Sequence, residues 1–132
     1  MKALTLLLVL LPTLGYAGEV ECLSHIIYSE AQGEPLTGLI AVGNASINRA
    51  KATNRSICKI KGVTRKKPPL KVHAHYLAVA RSAMDNPSIV SKADSWDRSK
   101  KPKYAGKIIA RIGQHTFYVM KVYPSNVPPA ST

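Results

Sequence analysis

The stretch Val20-Glu21-Cys22-Leu23-Ser24-His25-Ile26-Ile27-Tyr28-Ser29-Glu30-Ala31-Gln32-Gly33-Glu34-Pro35-Leu36 decides how the chain folds. At about 100° per residue, Val20, Leu23, Ile26, Ile27 and Ala31 fall within one broad face, so the spacing predicts an amphipathic helix over residues 19–32. Glu30 lies in the middle of that face. Measured from Leu23, Ile27 is about 40° round and Glu30 about 20° the other way, while Glu21 points roughly opposite. One acid is therefore solvated and the other is aimed at the core. Gly33 supplies a helix stop, and Glu34-Pro35 opens a second helix with proline at a tolerated first position.

Working outward, the second helix is predicted from Pro35 to Ala52, with Leu36, Leu39, Ile40, Ile47 and Ala50 as its apolar stripe. Gly43 sits inside that stripe, where a missing side chain lets another helix come close. If the two helices return antiparallel, Cys22 meets Cys58, and the two cysteines are read as a disulfide. A basic loop over 59–71 closes at Pro68-Pro69, and a third helix follows from about Leu70 to Met84. Short stretches around Ala93–Asp97 and Ile112–Met120 read as strands. The expectation is an α+β domain, mainly helical, with a short β-hairpin or small sheet near the C-terminus. There is no internal repeat.

The chain has 132 residues, 19 Lys+Arg against 7 Asp+Glu and a formal charge of +12, enough for one domain. With 45% apolar and 20% charged residues, disordered and collagenous classes are excluded. Lys2, the apolar run Ala3–Leu14 and Gly15-Tyr16-Ala17 have the pattern of a secretory signal, so residues 1–17 are expected to be removed after export to periplasm or cell wall. Transient membrane contact is then confined to that segment. Residues 18–123 are expected to form the one folded domain, and 124–132, with three prolines, a flexible tail. All seven acids lie in residues 19–34 or 85–97, so most of the chain is acid-free and suits an anionic partner. Export argues against nucleic acid.

A carboxylate held on an apolar helix face is costly to ionise, so its pKa rises and it keeps a proton near neutral pH. That property belongs to a general acid, the group that protonates the leaving oxygen when a glycosidic bond breaks. The bland alternative is that Glu30 reaches solvent at the helix end or pairs with a lysine. No metal is expected, because there is no CxxC and His25, His73, His75 and His115 lack a zinc-ligand spacing.

The words around Glu30 bear on that choice. Cys22-Leu23, Ile27-Tyr28-Ser29-Glu30-Ala31-Gln32-Gly33-Glu34-Pro35-Leu36, Gly38, Ile40-Ala41-Val42 and Asn48-Arg49 resemble the opening of the cell wall hydrolases related to spore cortex-lytic enzymes. Ile112-Gly113-Gln114-His115-Thr116-Phe117-Tyr118 is similar to that family's closing IGNHxFY, and the likeness spans most of residues 21–120. It implies a lysozyme-like helical core and a lytic transglycosylase acting on peptidoglycan, with Glu30 as catalytic acid and then base, and no cofactor. The sequence departs from the family pattern at Gln32 and Gln114, which replace Arg and Asn. A larger departure is Lys61-Gly62-Val63-Thr64-Arg65, where relatives carry a QFS-like segment lining the cleft.

Other candidate substrate contacts each carry two readings. Trp96, Tyr104 and Tyr118 stack on sugar rings or fill core. His115 bonds substrate or is structural; Ser29 and Thr64 position substrate or cap and turn. The basic loop with Arg65, Lys66, Lys67 and Lys71 is either a solvated face or an attractor of anionic wall polymer. The expected protein is a peptidoglycan-cleaving monomer of phage lysis or wall remodelling. Its rivals are a non-catalytic cationic wall- or membrane-binding protein, an amidase, and a nucleic-acid-binding protein with an N-terminal anchor.

Overall fold

The computed structural model describes residues 11–87 and 89–121, with residues 11–17 described by backbone alone. Three helices, α1 (Leu11–Ala31), α2 (Leu36–Ala52) and α3 (Leu70–Asp85), precede three strands, β1 (Ser95–Asp97), β2 (Ala105–Ile112) and β3 (His115–Met120). The strands form one antiparallel sheet in the order β1-β3-β2. This is the expected α+β arrangement. The first ten residues of the expected signal and the 124–132 tail lie outside the described residues. No helix among the described residues is long and apolar enough to cross a membrane.

The face predicted for the first helix is the buried one: Val20, Leu23, Ile26, Ile27 and Ala31 are all at most 2% exposed. Among the described residues the helix already runs from Leu11, ahead of residue 19, so the junction after Ala17 falls within α1. Gly33 ends it with φ +88°, in the left-handed region open to glycine. Pro35 sits just outside α2 at its N-cap, with extended backbone, rather than inside its first turn.

α2 differs from the single-stripe expectation. Leu36 is 58% exposed, whereas Ala41, Val42, Asn44, Ala45 and Ser46 are fully buried. The reason is that α1 and α3 both pack on it and β1 lies against its C-terminal half, so more than one face is covered. At Gly43 the three helices meet: a Cβ there would come within 2.6 Å of Ala83 Cβ and 3.1 Å of Ile27 Cδ1. Next to it, Asn44 Nδ2 donates to the Ala83 carbonyl at 2.7 Å. That carbonyl's helical partner would be the amide of residue 87, which is proline and has none, so Asn44 satisfies a group the helix leaves open. Gly43→Ala is expected to destabilise the chain by about 1–2 kcal/mol, overpacking outweighing the gain in helix propensity. Urea unfolding should also show Ala83→Gly costing less in the Gly43→Ala background than alone.

The sheet corrects the sequence expectation at one point. Ile112 ends β2, Gly113-Gln114 is the turn, with Gly113 at φ +59°, and β3 begins at His115. β2 escaped notice because Ala105-Gly106-Lys107-Ile108-Ile109-Ala110-Arg111-Ile112 has no clean alternation: it pairs with β3 through two register shifts, which change which side chains face inward.

Candidate active site

Glu30 stands in the last turn of α1, against the extended segment that follows the Ile57–Lys59 3-10 turn. Its Oε1 accepts the Thr64 amide at 2.8 Å. One residue earlier, the Ser29 hydroxyl accepts the Lys66 amide at 2.6 Å and faces the Lys66 carbonyl at 3.5 Å. Amides two residues apart point the same way in extended chain, so adjacent side chains at one helix end hold both. Glu30 is half-buried and faces this loop rather than the core.

Arg49 holds the other wall. Its buried guanidinium donates to the carbonyls of Asp94 (2.9 Å), Lys61 (3.0 Å) and Gly62 (3.3 Å), and lies 3.4 Å from Ser95 Oγ. The same group lies 5.0 Å from the centre of the Trp96 ring. Asn48 Nδ2 donates to the carbonyls of Ser91 and Ala93. Asn48-Arg49 thereby ties α2 to the loop beneath Thr64 and to β1, which presents Trp96 to Glu30.

Burial pushes the Glu30 carboxyl above its ordinary value; the Thr64 amide, the Arg49 charge and a hydrogen bond from the Trp96 indole oppose the rise but do not cancel it. The two acids of the 94–97 segment make bonds of their own. Asp94 Oδ1 accepts the Met120 amide and the Ser95 hydroxyl, and Asp97 accepts the Ser99 amide.

Glu34 is built into the hairpin. Its Oε1 accepts the Gln114 amide at 2.9 Å, and its carboxylate lies where a Cβ on residue 113 would sit, 2.9–3.0 Å away. The EP corner and the IG turn, far apart in sequence, thus form one contact that docks the sheet on the helices. His115 Nδ1 is 3.0 Å from Glu34 Oε1 but off the geometry of a hydrogen bond. Burial lowers the pKa of this imidazole, against the pull of Glu34, so at neutral pH the contact is not an ion pair. Glu34→Ala is expected to lower stability by about 1–2 kcal/mol and to speed exchange of the Gln114 amide. Glu34→Gln, which keeps an acceptor oxygen, should lose less and retain turnover.

Of the residues singled out in the sequence, Ser29, Thr64 and Trp96 surround Glu30 or hold what does, Thr64 through its backbone amide rather than its hydroxyl. Tyr118 is buried in the middle strand, its hydroxyl pKa raised by burial and by Asp97. Tyr104 is 56% exposed ahead of β2, with its ring 5.5 Å from Lys103 Nζ. Arg65, Lys66 and Lys67 are exposed along the loop, and Lys71 is exposed in the first turn of α3 rather than on the loop. Arg49 and Glu34 had no assigned role in the sequence; the signal for Arg49 was a charge placed two residues after Ile47 on a buried helix.

No protein-family model matches the chain, and neither does any curated protein. Among solved structures, the chain is similar to the catalytic domain of the germination-specific lytic transglycosylase SleB from Bacillus anthracis. The TM-score is 0.56 at 16% identity, over 76% of this chain and 93% of that one. It is also similar to the catalytic domain of the SleB protein of Bacillus cereus, with TM-score 0.51 at 17% identity, over 76% and 88%. At these identities the likeness is one of fold: helical core and small sheet are arranged as in the SleB catalytic domains.

Proposed function

We propose that this chain, folded like the SleB catalytic domains, is an exported peptidoglycan-degrading enzyme that cuts the glycan strand between N-acetylmuramic acid and N-acetylglucosamine. The observation that carries the reading is the half-buried carboxyl of Glu30, held against the Thr64 amide at 2.8 Å and shifted by burial toward its protonated form. In the forward step Glu30 gives its proton to the glycosidic oxygen as the bond to muramic C1 breaks. The resulting carboxylate takes the proton of the muramic C6 hydroxyl, whose oxygen closes on C1. No water is consumed, Glu30 regains its proton, and the product carries a 1,6-anhydro end. Hydrolysis would instead use a second carboxylate near Glu30, as nucleophile or as base for a water. The Thr64 amide and Trp96 indole hold the carboxylate form between the two transfers.

The substrate residues are Ser29, Thr64, Trp96 and Tyr104, of which Trp96, hydrogen-bonded to Glu30, is nearest the bond cut; the buried His115 and Tyr118 serve the fold instead. The exposed Lys61, Arg65, Lys66 and Lys67 of the loop, with Lys71 at the start of α3, draw the anionic wall polymer, an attraction that added salt weakens. The protein acts as a monomer in the periplasm or wall, in phage lysis or wall remodelling. The test is to digest purified peptidoglycan with the 132-residue chain and read the fragments by mass spectrometry. Anhydro-muropeptides are expected; reducing glycan ends mean hydrolysis, free peptides an amidase, and intact polymer a binding protein.

A further inference from the structure

Far from Glu30, packing of α1 on α3 joins three metal-ligating side chains that the sequence keeps apart. Glu21 and His25 are one helical turn apart on α1, and His73 comes from the first turn of α3. Nε2 of His25 and Nε2 of His73 converge on the same oxygen, Glu21 Oε1, at 3.2 and 2.9 Å. All three donor atoms lie within 4.8 Å of one another, and the rings stand 6.4 Å apart at 38°. The His25 and His73 side chains are 20% and 21% exposed and that of Glu21 is 40% exposed, so an ion from solvent reaches the donors.

We propose that Glu21, His25 and His73 form a binding site for a divalent zinc ion. Zinc takes imidazole nitrogen and carboxylate oxygen at about 2.0–2.2 Å, which puts neighbouring ligands of a tetrahedral ion about 3.3–3.5 Å apart. The two nitrogen–oxygen separations lie only a few tenths of an ångström below that, and the two nitrogens are within 4.8 Å of each other, so small side-chain shifts bring the three donors to an ion. The carboxylate supplies charge, both imidazoles coordinate in their neutral form, and the fourth position is left for water. A bound ion cross-links α1 to α3 beside the Cys22–Cys58 bridge, which ties α1 to the turn after α2. Glu21 is nine residues from Glu30 along the helix, roughly 13 Å, so the site stands independently of glycan cleavage.

The test is calorimetric titration of the chelator-treated, full 132-residue chain with zinc sulfate. One ion per chain is expected, with a rise in melting temperature that a chelator reverses. His25→Ala and His73→Ala should each weaken binding at least about tenfold. His75→Ala should leave binding unchanged, since that exposed ring packs edge-on against Tyr76. Glu21→Gln separates ion binding from simple hydrogen bonding: its amide oxygen still accepts from both imidazoles, so the fold is kept while zinc affinity falls. Absence of saturable binding to the wild-type chain, or equal binding by the His25→Ala/His73→Ala double variant, would overturn the site and leave a hydrogen-bonded cluster only.

Discussion

Replacing Glu30 with glutamine is expected to lower the rate of glycan cleavage by about 10²–10⁴-fold, the usual worth of a positioned general acid–base group. The amide has nearly the same shape and still offers an oxygen to the Thr64 amide, so the loop stays anchored. What disappears is the proton to donate and the charge to receive one. Stability should move the other way. The folded pKa of Glu30 is raised above the ordinary 4.5, so its burial carries no penalty while it is protonated at low pH. The penalty grows as pH rises from about 4.5, where the unfolded chain ionises, to the folded pKa, and is fully present above it. The glutamine form should therefore be at least as stable as wild type at pH 7, with the gap closing below about pH 4.5. Chemical unfolding at the two pH values, run beside the cleavage assay, separates loss of chemistry from loss of fold. Equal cleavage by both proteins would remove Glu30 from the mechanism.

Removing the disulfide should give the largest loss of stability. Cys22 and Cys58 are bridged across a separation of 36 residues, with Cα atoms 5.2 Å apart. In the chain-entropy model a loop of that size is worth about 4 kcal/mol, or roughly 10–20 °C in melting temperature for a domain of this length. The bridge stitches the middle of α1 to the turn after α2, where Glu19 also accepts the Ile57 amide at 3.0 Å. Glu30 lies two turns further on, in the last turn of α1, held by contacts the bridge does not share. The Cys22→Ala/Cys58→Ala chain should accordingly melt much earlier in a calorimeter yet cleave normally at low temperature. A shift of only a few degrees would mean that α1, α2 and α3 hold the turn without it.

How much could be read beforehand followed the range of the interactions. The buried face of α1 was legible because 3.6-residue spacing is local, and the disulfide because two helices and a short reversal bring Cys22 to Cys58. α2 was read with too narrow a stripe, since burial on several faces depends on elements far along the chain. Glu30 was found by its place on an apolar face, but its orientation was not: Oε1 is turned to a backbone amide in a segment with no pattern of its own. Arg49 bonds backbone carbonyls at residues 61, 62 and 94, which look alike in any sequence. For the same reason His25 and His73 read as unrelated, although one carboxylate oxygen holds both.

Cleavage by a lone carboxyl requires that the fold keep a proton on Glu30 where an ordinary glutamate would lose it. Carbon-13 NMR titration of the Glu30 side-chain carboxyl in the full chain, assigned by its disappearance in Glu30→Gln, measures this directly. The predicted result is a midpoint above 4.5, reflecting burial beside Trp96 and the 60s loop. A midpoint at or below 4.5 would show Thr64, Arg49 and Trp96 winning over burial, leaving Glu30 an ordinary ionised anchor for the loop and contradicting its role as the acid.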